Sequence, residues 1–233
     1  MDGEDFKEKS SAVCAVYEQA TTLHEQGTHV ISVDEKTGIQ SLDRFVEPMK
    51  PGQCERQEHE YERNGTQCLI ANLEVATGKI IAPTIGNTRT EEDYVNHIKQ
   101  TIATDPNAKW VFIHDNLNTH RSEGLVRLVA ELCSTVGNLG IKGKEGVLKD
   151  METRAAFLSN EHHRIRFVYT PKHASWLNQV EIWFSILVRR LLKRIVTKSK
   201  EELKKKIENF IEYFNKTMSK PFKWTWKGSV LKA

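Results

Sequence analysis

No stretch of some 18 apolar residues occurs in this chain of 233 residues, which excludes an ordinary membrane-spanning helix. The opening MDGEDFKEKSSAV is acidic and lacks an apolar run, so it does not read as a secretory signal. Cysteine is scarce: Cys14, Cys54, Cys68 and Cys133 stand apart without a CxxC pair. That scatter argues against a zinc ribbon or a disulfide framework, and for reduced thiols in a cytoplasmic protein. No internal repeat or low-complexity tract is visible. With 39% hydrophobic and 28% charged residues, the composition suits one globular α/β domain, with or without an embellishment.

Each part of the chain is short of charge of one sign. The net +3 conceals 17 Lys/Arg against 26 Asp/Glu in residues 1–163, and 17 against 5 in residues 164–233. A basic C-terminal third suits a polyanion, nucleic acid first. Its densest run, KSKEELKKKIENF, also reads as a helix with a solvated lysine face.

Periodicity orders the elements. Val13, Val16, Tyr17, Ala20 and Leu23 fall at helical spacing, which predicts a helix over 8–26. THVISVDEK is a short β-branched strand with Asp34 just past its end, and TGIQSLDRF reads as the next strand of a hairpin. TQCLIANLEVATGKIIAPTIG is strand, turn at Thr77-Gly78, strand. RTEEDYVNHIKQTIATD is a helix capped by Thr90, with acids favouring its positive end. KWVFIHDN is a strand apolar on both faces that ends on Asp115. SEGLVRLVAELCSTV is helical, four glycines break GNLGIKGKEG, and VLKDMETRAAFLSNEHH resumes as helix. RIRFVYTP is a last strand, followed by helices over 176–190 and 199–215. Strands in a meander, then alternating helices and strands, imply a mixed sheet flanked by helices.

Two strands thus run into aspartates, and ligands gather at strand ends in such sheets. Carboxylates brought together there repel one another unless a cation sits between them. Oxygen ligands of this kind suit Mg²⁺ or Mn²⁺, and a pair of such ions is a recurring device for phosphodiester cleavage and transfer. In the helix after Pro171, Glu181 shares a polar strip with Asn178, Ser185 and Arg189, beside the apolar Leu177, Val180, Phe184, Leu187 and Leu191. It reads either as a third carboxylate aimed at the sheet edge or as a boundary residue paired with Arg189 or Arg190.

The blocks VDEKTGIQ, HDNLNTH and YTPKHASWLNQVEIWFSILVRR resemble, in this order, those around the three acids of DDE transposases. The likeness is to the bacterial insertion-sequence branch of the mariner superfamily, and it covers roughly residues 8 to 227. It implies a ribonuclease H-like α/β fold: a five-stranded mixed sheet with Asp34, Asp115 and Glu181 as catalytic, metal-binding acids. It also implies two divalent ions, Mg²⁺ with Mn²⁺ as substitute, acting on DNA as transposon ends and target. A homodimer in the active complex and a cytoplasmic, nucleoid-associated location follow from the same likeness.

Neighbouring positions match the family blocks as well. Asn116 and His120 are placed to orient the second acid or touch a phosphate. Lys36, His173, Trp176, Asn178 and Gln179 are placed to contact DNA, with Trp176 alternatively a core residue. Glu35 competes with Asp34 but points to the opposite face of a continuing strand. His162-His163 is discounted as a metal pair because adjacent side chains diverge. The family's N-terminal helix-turn-helix reader is absent from these 233 residues, which leaves a single catalytic domain. A helical insertion is expected at about 134–163, inside the 66 positions separating Asp115 from Glu181. The alternative function is a catalytically silent or domesticated domain that binds DNA or self-associates. A structure-specific nuclease on the same fold would share the site and differ in substrate.

Overall fold

A computed structural model describes residues 3–43, 46–47, 56–57, 61–135 and 137–227. The elements in chain order are α1 (Gly3–Glu25), β1 (Thr28–Asp43), β2 (Glu62–Glu74), β3 (Ile80–Gly86) and α2 (Glu91–Ala103). Then come β4 (Lys109–His114), α3 (Glu123–Leu132), α4 (Met151–Leu158), β5 (Ile165–Tyr169), α5 (Val180–Leu187) and α6 (Lys200–Thr217). The sheet runs β3-β2-β1-β4-β5, and a separate two-residue ribbon pairs Val46–Glu47 with Arg56–Gln57. The first three strands are antiparallel neighbours, and β4 and β5 add parallel to β1. This is the mixed sheet that the strand pattern implies.

Side-chain alternation along β1 assigns its two faces. Ile31 and Val33 join Trp110, Phe112 and Phe167 in a core closed by Tyr94 and Ile98 of α2 and Leu125 and Val129 of α3. Val30 faces the other way, with Val111 and Ile113, onto Val13, Val16, Tyr17 and Ala20 of α1. On that same side Leu69, Ala71 and Leu73 of β2 receive Val180, Trp183, Phe184 and Leu187 of α5 and the Leu203, Ile207, Ile211, Phe214 stripe of α6. Thr90 caps α2 through a reciprocal bond pair with Asp93, as the acidic first turn favours.

Three expectations are corrected. The expected hairpin over VDEKTGIQSLDRF is instead one strand, β1, whose pairing with β2 slips twice, between Lys36 and Ile39 and between Gln40 and Leu42. Gly38, at φ +67°, lets the strand bulge rather than turn back. Arg44 and Phe45, the end of that stretch, lie outside the described residues, as does Cys54. The helix expected over 147–163 shrinks to α4, because Asp150 bonds the backbone of Glu152 and Thr153 and fixes the start at Met151. The helix expected over 176–190 breaks into a 3₁₀ turn (Ser175–Leu177), α5, and a π-helical turn (Val188–Leu192) closed by a bond from Lys193 N–H to the Val188 carbonyl.

Residues expected to be an insertion supply Leu139, Val147, Leu148 and Leu158 to the core beneath α2 and α3. That is the face of the sheet away from α5.

Candidate active site

In the parallel pairing of β1 with β4, Ser32 stands opposite Ile113. Two residues further along each strand, that register sets Asp34 beside Asp115. Both point to the face that carries α5. Asp34 is buried and Asp115 half-buried. Glu181, half-buried in the first turn of α5, is the third acid there. The Asp34 carboxyl is pushed up to about 7, chiefly by burial and further by the charges of Asp115, Glu35 and Glu181; the Glu35 backbone N–H bonds to it and opposes the rise. The three acids therefore feel one another. Among the described residues neither Asp34 nor Glu181 forms an ion pair with a lysine or arginine, and the reading of Glu181 as a partner of Arg189 or Arg190 falls away.

The fit to a hard divalent cation rests on this donor set: oxygens only, with Asp34 and Glu181 free of lysine or arginine partners among the described residues. The group whose ligand atoms all lie within 4.8 Å of one another is elsewhere among the described residues, at His24, His29 and Glu74. Asp34, Asp115 and Glu181 do not all fall within that spacing.

Histidine and asparagine hold the acids. His120, on the 3₁₀ turn Asn118–Arg121, is buried with Nδ1 2.8 Å from Asp115 Oδ1 and Nε2 3.1 Å from Glu35 Oε1. Burial works against its charge, but hydrogen bonds to the two carboxylates win and raise its pKa to about 9. Both ring nitrogens donate, so His120 is an imidazolium. Burial also pushes Asp115 up, yet the bond and charge of His120 leave it below the usual carboxylate range. Glu35, 2% exposed at its side chain, projects through the face opposite Asp34, so one histidine clamps both faces of the sheet's end. His114, whose pKa burial drives well down, stays neutral and donates from Nδ1 to the Asp115 carbonyl.

Asn178 is fully buried: its amide donates to the Val33 carbonyl at 2.8 Å and to Asp34 Oδ2 at 3.3 Å, while its oxygen accepts from the Ser32 hydroxyl. Ser32 Oγ accepts from Val180 N–H at 2.8 Å, and Tyr17 donates its hydroxyl to the Leu177 carbonyl and accepts from Gln179 N–H. The expectation that Asn178 and Gln179 touch DNA is corrected: both side chains are sealed beneath α5. His120 likewise has no free face for a phosphate. Ser32 and Tyr17 were not anticipated. A lone serine inside an apolar strand was the available signal for the first, whereas Tyr17 reads only as helix core.

Other positions do face outward. Trp176, weighed as a core residue, is 51% exposed and meets Trp226 edge-on at 4.9 Å. A 3₁₀ turn (Ser175–Leu177) carries it rather than the expected helix. His173 is exposed, with φ +60°. With Asn116, Leu117, Thr170 and Lys172 it lines a cleft that opens on Asp115. Asn116 is fastened to the Thr170 carbonyl. Lys36 is half-buried, its Nζ 5.7 Å from the centre of the Phe184 ring. Further along the helix that carries Glu181, exposed Arg189, Arg190 and Arg194 rim a groove floored by Ile186 and Met218. His162 and His163 join no metal-ligand group among the described residues.

Residues 29–204 match the family model of the DDE superfamily endonucleases. The chain belongs to this family. Solved structures resemble it in fold. A Mos1 mariner paired-end complex with Mn matches at TM-score 0.54 and 14% identity, over 91% of this chain and 56% of the other. A pre-cleavage Mos1 transpososome gives 0.53 and 14% over the same shares. The catalytic domain of Mos1 mariner transposase gives 0.51 and 12%, over 91% and 83%. The DDE endonuclease chain thus has the ribonuclease H-like fold of that catalytic domain, and spans just over half the length of the Mos1 chains in the larger complexes. No curated protein matches it significantly. No helix among its described residues is long and apolar enough to cross a membrane.

Proposed function

We propose that this DDE endonuclease is the catalytic domain of a mariner-like transposase of the bacterial insertion-sequence branch. In this reading residues 1–233 are one ribonuclease H-like unit that cleaves DNA at transposon ends and joins them to a target, within a dimer. The observation that supports it is the register of β1 on β4, which sets Asp34 beside Asp115 on the face that carries α5, with Glu181 in the first turn of that helix.

The residues divide the work. Asp34, Asp115 and Glu181 would offer carboxylate oxygens to two Mg²⁺ ions, with Mn²⁺ as substitute. When bound, such a pair supplies activation of water or a DNA 3′-hydroxyl and stabilisation of the leaving oxygen. Asn178 fixes the Asp34 carboxylate through Oδ2, and Ser32 and Tyr17 fix the entry to α5 and so the reach of Glu181. His120 is a positioning residue: charged on both sides, it keeps Asp115 ionised and aimed. Lys172 and His173 flank the cleft at Asp115 where a strand would enter, and Trp176 with Trp226 offers an exposed aromatic surface for a base. Lys36 and the arginines of the groove would serve as phosphate partners.

Supercoiled plasmid or terminal-repeat DNA, incubated with Mn²⁺, tests the proposal. The wild type is expected to nick, and Asp34→Ala and Glu181→Gln to lose at least about 1,000-fold in rate, since the ions provide several kcal/mol of transition-state stabilisation. Equal nicking by wild type and variants sinks it. A structure soaked in Mn²⁺ separates an inactive but metal-binding chain from one that cannot hold the ions. Metal-independent DNA binding without cleavage would favour a silent, domesticated domain.

A further inference from the structure

We propose that His24, His29 and Glu74 form a second metal site, suited to a borderline transition ion such as Zn²⁺, at the end of the sheet away from the three acids. His24 is in the last turn of α1, His29 is the second residue of β1 and Glu74 is the last of β2. Five residues of strand separate His29 from Asp34, about 16 Å. Gly27, at φ +76°, turns the chain between helix and strand so that the two histidines face each other, their rings 5.6 Å apart.

The three ligand atoms lie within 4.8 Å of one another. Glu74 Oε1 is 2.6 Å from His29 Nδ1 and 3.5 Å from His24 Nδ1. Ligands about 2.0–2.1 Å from one tetrahedral ion stand roughly 3.3 Å apart, so small side-chain rotations convert this cluster into a three-ligand shell with a fourth position open to solvent. Two imidazoles and a carboxylate favour Zn²⁺ and its neighbours, whereas the oxygen-only acids favour Mg²⁺. The chemistry alone keeps the two sites apart.

The surroundings are those of a ligand shell. His29 Nε2 lies 3.3 Å from Asp105 Oδ2, the carboxylate–histidine arrangement that orients a ligating ring, while Nδ1 is bonded to Glu74 Oε1 at 2.6 Å and would give up its proton to the incoming ion. Thr77 donates its hydroxyl to Glu74 Oε2 at 2.6 Å, which turns Oε1 toward the histidines. The His29 ring is stacked on Trp110 at 4.3 Å, and Glu74 is buried. An ion here would tie the end of α1 to the ends of β1 and β2, three elements joined at that corner by side chains and short turns.

The test uses the whole metal-stripped chain in millimolar Mg²⁺, which fills hard-oxygen sites. Co²⁺ is titrated by its visible absorption and then displaced with Zn²⁺. One equivalent with a tetrahedral spectrum is expected, together with a Zn²⁺-dependent rise in melting temperature. Asp105→Asn is expected to weaken binding about tenfold, and His24→Ala and Glu74→Gln by more. His24 is half-exposed, so His24→Ala should melt like the wild type without metal, and a metal-free melt verifies its fold. Wild type that takes up no ion under these conditions, or binds no more tightly than a folded His24→Ala, overturns the proposal. These readouts are independent of DNA cleavage, so a failure of the nuclease assignment leaves the result standing.

Discussion

At His120 the fold holds a positive charge between two carboxylates, with almost no water to share the task. Removing such a partner leaves Glu35 buried and alone, and broken buried pairs cost about 3–5 kcal/mol. His120→Ala is therefore expected to lose roughly that much in urea unfolding, and His120→Ala with Glu35→Gln to recover part of it, a coupling that a double-mutant cycle reads. Asp34 has the opposite sign. It is a buried carboxylate that feels three others, Asp115, Glu35 and Glu181, so Asp34→Asn is expected to raise the melting temperature of the metal-free protein by a few degrees, at about 2–4 °C per kcal/mol, while cleavage is lost. Mg²⁺ should stabilise the wild type but not that variant.

His97 gives the pH dependence. Asn72 donates from its amide to the Ile81 carbonyl and Thr101 Oγ1, so its oxygen must accept from His97 Nε2, leaving Nδ1 to accept from Thr84. That network holds a neutral ring, and burial lowers its pKa to about 3. Below about pH 6.5 the unfolded chain takes up a proton at this residue that the folded chain refuses, so the contribution of His97 to stability falls with pH across the window from 6.5 to 3, while Asp34, raised to about 7, contributes with the opposite sign between about pH 7 and 4. At about 1.4 kcal/mol per unit, some 3 kcal/mol is lost between pH 6.5 and 4. Denaturant titrations at several pH values should show a shallower slope for His97→Gln.

Among the elements, α6 separates packing from charge most cleanly. Leu203, Ile207, Ile211 and Phe214 form its buried stripe, while Lys204 and Lys205 are exposed and Lys206 pairs with Glu202 at 2.8 Å. Ile207→Ala is expected to cost about 2–5 kcal/mol, whereas Lys204→Ala should stay within about 0.5 kcal/mol; thermal or urea unfolding distinguishes them. The lysine run is thus a solvated face as well as positive charge. Periodicity exposes such a stripe in the sequence, but it did not show the π-helical turn after α5, because that turn depends on how Val188–Leu192 meets the rest of the fold.

For the molecule as a whole, the 17 Lys/Arg against 5 Asp/Glu of residues 164–233 stand beside an acidic remainder. DNA affinity is expected to fall steeply with salt, and Arg189→Ala, Arg190→Ala and Arg194→Ala together to reduce the slope of log K against log salt by about 3, one unit for each phosphate no longer neutralised. Binding measured at several salt concentrations gives that slope. An unchanged slope would remove the arginine groove from the DNA path.

The sequence by itself determined the order of elements, the mixed sheet and the three acids in their motif blocks, since periodicity and local motifs are properties of adjacent residues. Tertiary structure alone decided what each polar neighbour does. Asn178 meets Asp34 across 144 positions, Glu35 meets His120 across 85, and Tyr17 meets Leu177 across 160. Read along the chain, Asn178 and His120 look ready for DNA, and burial reassigns them to holding carboxylates. Trp176, open along the chain to a DNA contact or a place in the core, lies at the surface on a 3₁₀ turn. Partner choice at such separations is set by how helices seat on the sheet, and no local pattern encodes it.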